Sequence, residues 1–176
     1  MPLLVKFELL ADLDTAPTQT TVTFDDCDRL GAVNLRGTGF AARDRNQRTL
    51  AGVIDGDQHE VIINVTGLAG FLLAKCAAAR ERRKTKDWYD IGFVLSNNDA
   101  GGPAGAAEAV NAAFGEDLAG VSMMLDDLAA NFADPQAQGP RAYAGQVTVD
   151  DPQLDSATAA ADAVLAVEAF LEGLNR

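Results

Sequence analysis

Residues 72 to 90 read LLAKCAAARERRKTKDWYD, and they hold the side chains of this sequence best suited to chemistry. Lys75 stands among small and apolar residues, where only the tip of its side chain need reach a polar cleft. Asp87 and Asp90 follow at a spacing of three, which puts both carboxylates on one face of a helix. Two carboxylates so placed can share a proton, hold a divalent cation, or orient a lysine or arginine. Between the lysine and the acids lie Arg80, Arg82, Arg83, Lys84 and Lys86, which could seat phosphates or form a solvated junction between helices. The acids equally suit the first turn of a helix, where they face the positive end of its dipole. Trp88 and Tyr89 suit core packing as well as a base-stacking platform.

These residues need elements to position them. Leu68, Phe71, Leu72, Lys75, Cys76, Ala79 and Arg82 recur at three and four, which predicts an amphipathic helix capped near Thr66. A second helix runs through Asp87, Ile91, Val94 and Leu95 to Asn97-Asn98, and GGP opens a third at Pro103. Further helices fit 104–114, 117–132, 140–147 and 155–174, the last with Asp155 as N-cap. Before residue 66 the pattern is that of strands: LLVKFELL, TTVTF, AVNLRGTGF, RTLAGVI and HEVIINV are short and rich in Val, Ile, Thr and Phe. The breaks fall at 12–19, 25–31, 43–47 and at Asp55-Gly56-Asp57, a hairpin turn. Alanine supports the division, with 6 in the first 66 residues and 26 in the remaining 110. The fold class is therefore α+β, a meander or mixed β-sheet over 1–66 followed by an Ala-rich helical bundle over 67–176.

The 176 residues suffice for one domain, and the 48% apolar share supports a sizeable core. No apolar run approaches the roughly 18 to 20 residues that span a bilayer, so no membrane association is expected. The start, MPLLVKFELLADLD, lacks the charged region and cleavage site of a signal peptide. Cys27 and Cys76 form no disulfide framework or spaced metal pair, and His59 is the only histidine, so a reduced cytoplasm is expected. The formal net charge of -12 argues against nucleic acid in bulk. Its distribution does not, because residues 67–100 hold six bases and four acids whereas residues 101–176 hold two and twelve.

The block LLAKCAAARERRKTKDWYDIGFVL resembles the lysine-bearing helix and following R-D-x-x-D helix of the AbiEii-like nucleotidyltransferase toxins of type IV toxin-antitoxin and abortive-infection systems. The Ala-rich remainder, including DDLAANFADPQAQGPRAYAGQ, is similar to the helical part of actinobacterial members. The resemblance implies a nucleotidyltransferase-like sheet and a helical bundle that closes over an NTP. It implies transfer of a nucleotide to an acceptor such as tRNA, with Mg²⁺ as cofactor and a cognate antitoxin protein as partner. Carried onto this sequence, Lys75 matches the phosphate-contacting lysine, Asp87 and Asp90 match the later acidic motif, and Glu8 is a candidate metal ligand. Lys75, Arg82, Arg83, Lys84 and Lys86 would hold nucleotide or RNA phosphates. The family opens with Gly-Ser and then Asp-x-Asp. Here no serine precedes Ser96, and Asp12-Leu13-Asp14 reads as a turn. The resemblance thus implies a truncated sheet without the main metal-binding motif, and the alternative to a transferase is a non-catalytic remnant or binding module for an antitoxin, a nucleotide or RNA.

Overall fold

A computed structural model describes residues 7–175. Strand β1 (Leu10–Ala11) runs parallel to β3 (Cys27–Asn34), and β2 (Thr21–Phe24) pairs antiparallel on the other side of β3. The first sheet is therefore small and mixed, in the order β1-β3-β2. Residues 3–6 of the expected first strand lie outside the described residues, and of 7–10 only Leu10 is in a strand. The turn expected over 25–31 is shorter, since β3 already begins at Cys27.

The tract expected to be one strand over 32–40 divides instead. Strand β3 ends at Asn34, and a short helix α1 (Gly39–Arg43) follows. The cause is a pair of hydrogen bonds from a distant acid: the Asp12 carboxylate accepts from the backbone N–H of Gly37 at 3.1 Å and of Gly39 at 2.7 Å. These bonds satisfy donors at the start of α1 and bend the chain away from the sheet. Asn34, fully buried, anchors the segment before β2: its side chain accepts from Leu13 N–H and donates to the carbonyls of Leu13, Ala16 and Pro17.

Strands β4 (Arg45–Ile54) and β5 (Asp57–Thr66) form a separate two-stranded sheet, registered from Arg45↔Thr66 to Ile54↔Asp57. The expected single sheet is thus two. The turn falls where Asp55-Gly56 predicts it, both residues having positive φ, as a tight hairpin of right-handed twist requires. Strand β4 begins at Arg45, inside a stretch expected to be a break. All ten of its residues are exposed, so neither face of this ribbon is covered along most of its length.

The remaining elements are α2 (Leu68–Arg82), α3 (Thr85–Asn97), α4 (Gly102–Phe114), α5 (Ser122–Asn131), α6 (Gln138–Asp150) and α7 (Ser156–Glu172). A 3-10 segment over Gly115–Val121 replaces the first part of the helix expected at 117–132, and α6 extends beyond both ends of the expected 140–147. Gly67, not Thr66, is the N-cap of α2, and the Asp44 carboxylate accepts from Gly70 N–H at 2.9 Å in place of a local cap. Asp155 caps α7 as expected, accepting from Thr158 N–H at 2.7 Å.

The core is helical. Leu72, Trp88, Ile91, Leu125, Phe132 and Phe170 are buried in one cluster contributed by α2 to α7, together with many alanines. At Gly139 a Cβ would fall 2.3 Å from the Phe132 ring, so only glycine permits this approach of α6. The architecture is α+β, with two small sheets near the N-terminal end followed by helices. Among the described residues no helix is long and apolar enough to cross a membrane.

Candidate functional site

Helix α2 is buried on most of its circumference, so Lys75, in its middle, has few directions open to it. The helix ends at Arg83, which adopts φ +53, the left-handed conformation that closes a helix C-terminus. Lys84 is then the N-cap of α3, and Asp87 falls in the first turn. This reversal folds α3 back along α2 and sets Asp87 and Asp90 opposite Lys75.

The three residues meet directly. Lys75 Nζ donates to Asp87 Oδ1 at 3.2 Å and to Asp90 Oδ2 at 2.6 Å. Arg82 joins them, with Nε 3.2 Å from Asp87 Oδ2 and Nη2 2.8 Å from Oδ1, a two-pronged contact suited to guanidinium geometry. Lys86 donates to both oxygens of Asp90 at 2.8 Å. Two carboxylates therefore face three cations. Asp87 is only 2% exposed, whereas the side chains of Lys75 and Arg82 keep 22% and 18% of their surface open. Burial alone would raise the Asp90 carboxyl, and the Lys75 and Lys86 ammonium groups more than offset it, so the group sits below the usual aspartate range.

The other bases of the junction go elsewhere. Arg83 pairs with Asp127 at 2.7 Å and lies 6.0 Å from the Trp88 ring centre. Lys84 is exposed at the start of α3. Trp88 is fully buried and meets Phe132 edge on, so its ring is core packing and offers no open stacking surface. Tyr89 lies between Phe93 and Tyr143, its hydroxyl pushed up by burial and then by Asp150 and Asp90. Glu8 is exposed, on the segment leading into β1, and does not line the cleft described below. The Cys76 thiol is buried and pushed up to about 12 by that burial and by Asp127, which makes it inert at neutral pH.

Beside the ion-pair cluster lies a cleft of about 420 Å³ between α2, α1 and β1. Lys75 and Arg82 contribute its charged wall, and Leu10, Leu35 and Phe71 its apolar walls. Lys75 Nζ is 5.7 Å from the Phe71 ring centre. Asp12 also lines the cleft, with its carboxylate engaged by the N-terminal end of α1. Phe71, Leu10, Leu35 and Asp12 are cleft residues that the lysine and aspartate spacing does not reveal. The only signal for Asp12 is the pair Asp12-Leu13-Asp14, which by its letters alone suggests a metal ligand and in the fold is a helix cap.

The Mg²⁺ implied by the resemblance does not fit this arrangement. All four oxygens of Asp87 and Asp90 already accept from lysine or arginine. Among the described residues no three or more His, Cys, Asp or Glu side chains gather as a metal site would require. What the arrangement can do is hold an anion. A cleft of this size, with apolar walls and two partly open cations beside them, suits a ligand that carries a negative charge next to an apolar part. Comparison with family models, curated proteins and solved structures finds no match to this chain.

Proposed function

We propose that the chain is a nucleotide-binding module of nucleotidyltransferase-like type, with the ligand phosphates against Lys75 and Arg82 and the base against Phe71 and Leu10. The observation that supports this reading is the opening of both cations into the 420 Å³ cleft. Lys75 and Arg82 are the cations that line the cleft, and the one carboxylate that lines it with them, Asp12, already accepts from Gly37 and Gly39 N–H. Asp87 and Asp90 act here as positioning residues: they fix the two cations and do not touch the ligand. No transfer step is routed through a metal, because the carboxylates that would hold it are engaged.

The test is calorimetric titration of the protein with ATP, GTP, CTP and UTP, with and without Mg²⁺. Binding of at least one NTP is expected without Mg²⁺, weakened about tenfold or more by Lys75→Met through loss of a charge-assisted contact. Ala42→Phe, on the cleft wall away from the ion pairs, should also weaken it. No binding at millimolar NTP, or affinity indifferent to both substitutions, overturns the proposal.

A further inference from the structure

Helices α3 and α6 begin side by side. The Gln138 side chain donates to the Arg83 carbonyl at 3.4 Å, which ties the start of α6 to the turn before α3. Further along, the Tyr89 and Tyr143 rings stack with centres 6.4 Å apart. Between the two helices runs a surface groove made of two adjoining cavities of about 580 Å³ and about 390 Å³, which share Thr85, Arg141 and Ala142. The groove has no lining residue in common with the cleft beside Lys75.

The charge of this groove runs against that of the chain. Acids outnumber bases by 26 to 14, yet no acid lines the groove, whereas Lys86 and Arg141 both do. Arg141 is the only base between residues 87 and 175, and the fold sets it beside the basic junction. Arg82, Arg83 and Lys86 have carboxylate partners there, but the Arg141 guanidinium makes no ion pair or hydrogen bond with any described residue. Lys86 Nζ uses two of its three donors on Asp90 and keeps the third. Asp90 is itself shared with Lys75, so it does not neutralise Lys86 alone. The Thr85 hydroxyl, also in the groove, makes no hydrogen bond among the described residues. The neighbouring acids are occupied or distant: Asp90 accepts from both lysines, Asp134 accepts from Gln136 N–H, and Asp150 lies about 13 Å along α6 from Arg141.

We propose that the groove is a second ligand site, for a small phosphomonoester with an apolar body. The donors select the anion. A carboxylate carries one charge on two oxygens, whereas a phosphomonoester carries about -1.5 to -2 at neutral pH on three terminal oxygens. Arg141, with all its donors free, and Lys86 face such a dianion, and Thr85 supplies a further donor. A phosphodiester, as in a nucleic-acid backbone, has a single charge and two unsubstituted oxygens, and leaves part of this set unused. The apolar body of the ligand lies along Tyr89, Ala142 and Gly145. A Cβ built on Gly145 meets nothing within 4 Å, so the groove is open there.

The test is titration of the full chain with phenyl phosphate, diphenyl phosphate and benzoate, followed by amide proton–nitrogen correlation spectra. Phenyl phosphate is expected to bind with a Kd of about 1 mM or below, at least about tenfold more tightly than the two monoanions. Its shifts should centre on Thr85, Arg141 and Gln146 and leave Ala74 and Ala78 in the other cleft unmoved. Arg141→Gln should weaken binding about tenfold or more with Tm unchanged, since this side chain is exposed and unpaired. Gly145→Leu, which puts a side chain into the groove from an exposed position of α6, should weaken it as well. Absence of shifts at about 10 mM, shifts centred on the Lys75 cleft, benzoate binding as tightly as phenyl phosphate, or affinity indifferent to either substitution each overturns the proposal. NTP binding beside Lys75 is read at different residues and stands or falls separately.

Discussion

Asp87 and Lys75 touch each other, yet their removal should have unequal consequences. Asp87→Ala leaves Arg82 without a carboxylate and Lys75 with only Asp90, in a site where Asp87 itself is 2% exposed. Removing one partner of a buried pair costs about 3 to 5 kcal/mol. The side chains of the two cations remain about a fifth exposed, so the lower end, about 3 kcal/mol, applies. Lys75→Met leaves both carboxylates served, since Asp87 keeps the two Arg82 contacts and Asp90 keeps Lys86. Methionine also replaces the volume of the lysine stem, so this variant should cost about 1 kcal/mol or less. For a chain of this length the two values correspond to Tm losses of about 6–12 °C and about 2–4 °C. The cycle should not be additive: once Asp87 is gone, removing Lys75 relieves its repulsion of Arg82, by about 1 kcal/mol. Urea unfolding followed by circular dichroism and by fluorescence of Trp88, the single tryptophan, measures all three variants. Equal costs for the two single variants, or a larger cost for Lys75→Met, would refute the division of roles between a structural acid and a ligand-facing lysine.

Two further outcomes follow from the same geometry. Asn34→Ala removes a buried side chain that makes one bond to a backbone N–H and donates to three carbonyls; it should cost about 2–3 kcal/mol and speed hydrogen exchange at Leu13 while leaving amides in the middle of α7 unchanged. Asp90 ionises more readily in the folded chain than in the unfolded one, so its stabilising contribution is present above the ordinary aspartate value and is lost as pH falls through the lower folded value. The stability difference between the native chain and Asp90→Asn should therefore shrink below about pH 4 in acid titrations, and a difference that stays constant down to pH 2 would count against the Lys75 and Lys86 contacts.

The parts of this protein legible in its sequence are those fixed by local spacing. The period of three and four places α2, the i and i+3 aspartates lie on one face of α3, and Asp55-Gly56 makes the hairpin turn. These follow from backbone geometry over a few residues. The α1 segment was hidden because its cause lies 25 residues upstream, in the Asp12 carboxylate that accepts from Gly37 and Gly39. The start of α2 was legible to within one residue of Thr66, but the acceptor that serves its first turn was hidden likewise, since it is the Asp44 carboxylate. Arg82 was legible as a base but not as the two-pronged partner of Asp87. That role depends on Arg83 taking a left-handed conformation, which few sequences announce without a glycine. The division into two sheets was also out of reach, because alternation reveals which face of a strand is apolar but not what, if anything, covers it.

The junction at Asp44 and Gly67 has one more consequence. Gly67 N–H donates to the Asp44 carbonyl at 2.8 Å, so the chain departs for the ribbon and returns from it at a single point. Topologically, residues 45–66 are an insertion: the path from α1 to α2 is already closed without them. The ribbon can open and re-form without pulling on the helical core, which makes it a separate cooperative unit of low local stability. Its register is then set by its own cross-strand pairing and turn and not by the core, and so its length and surface can change while the bundle remains intact.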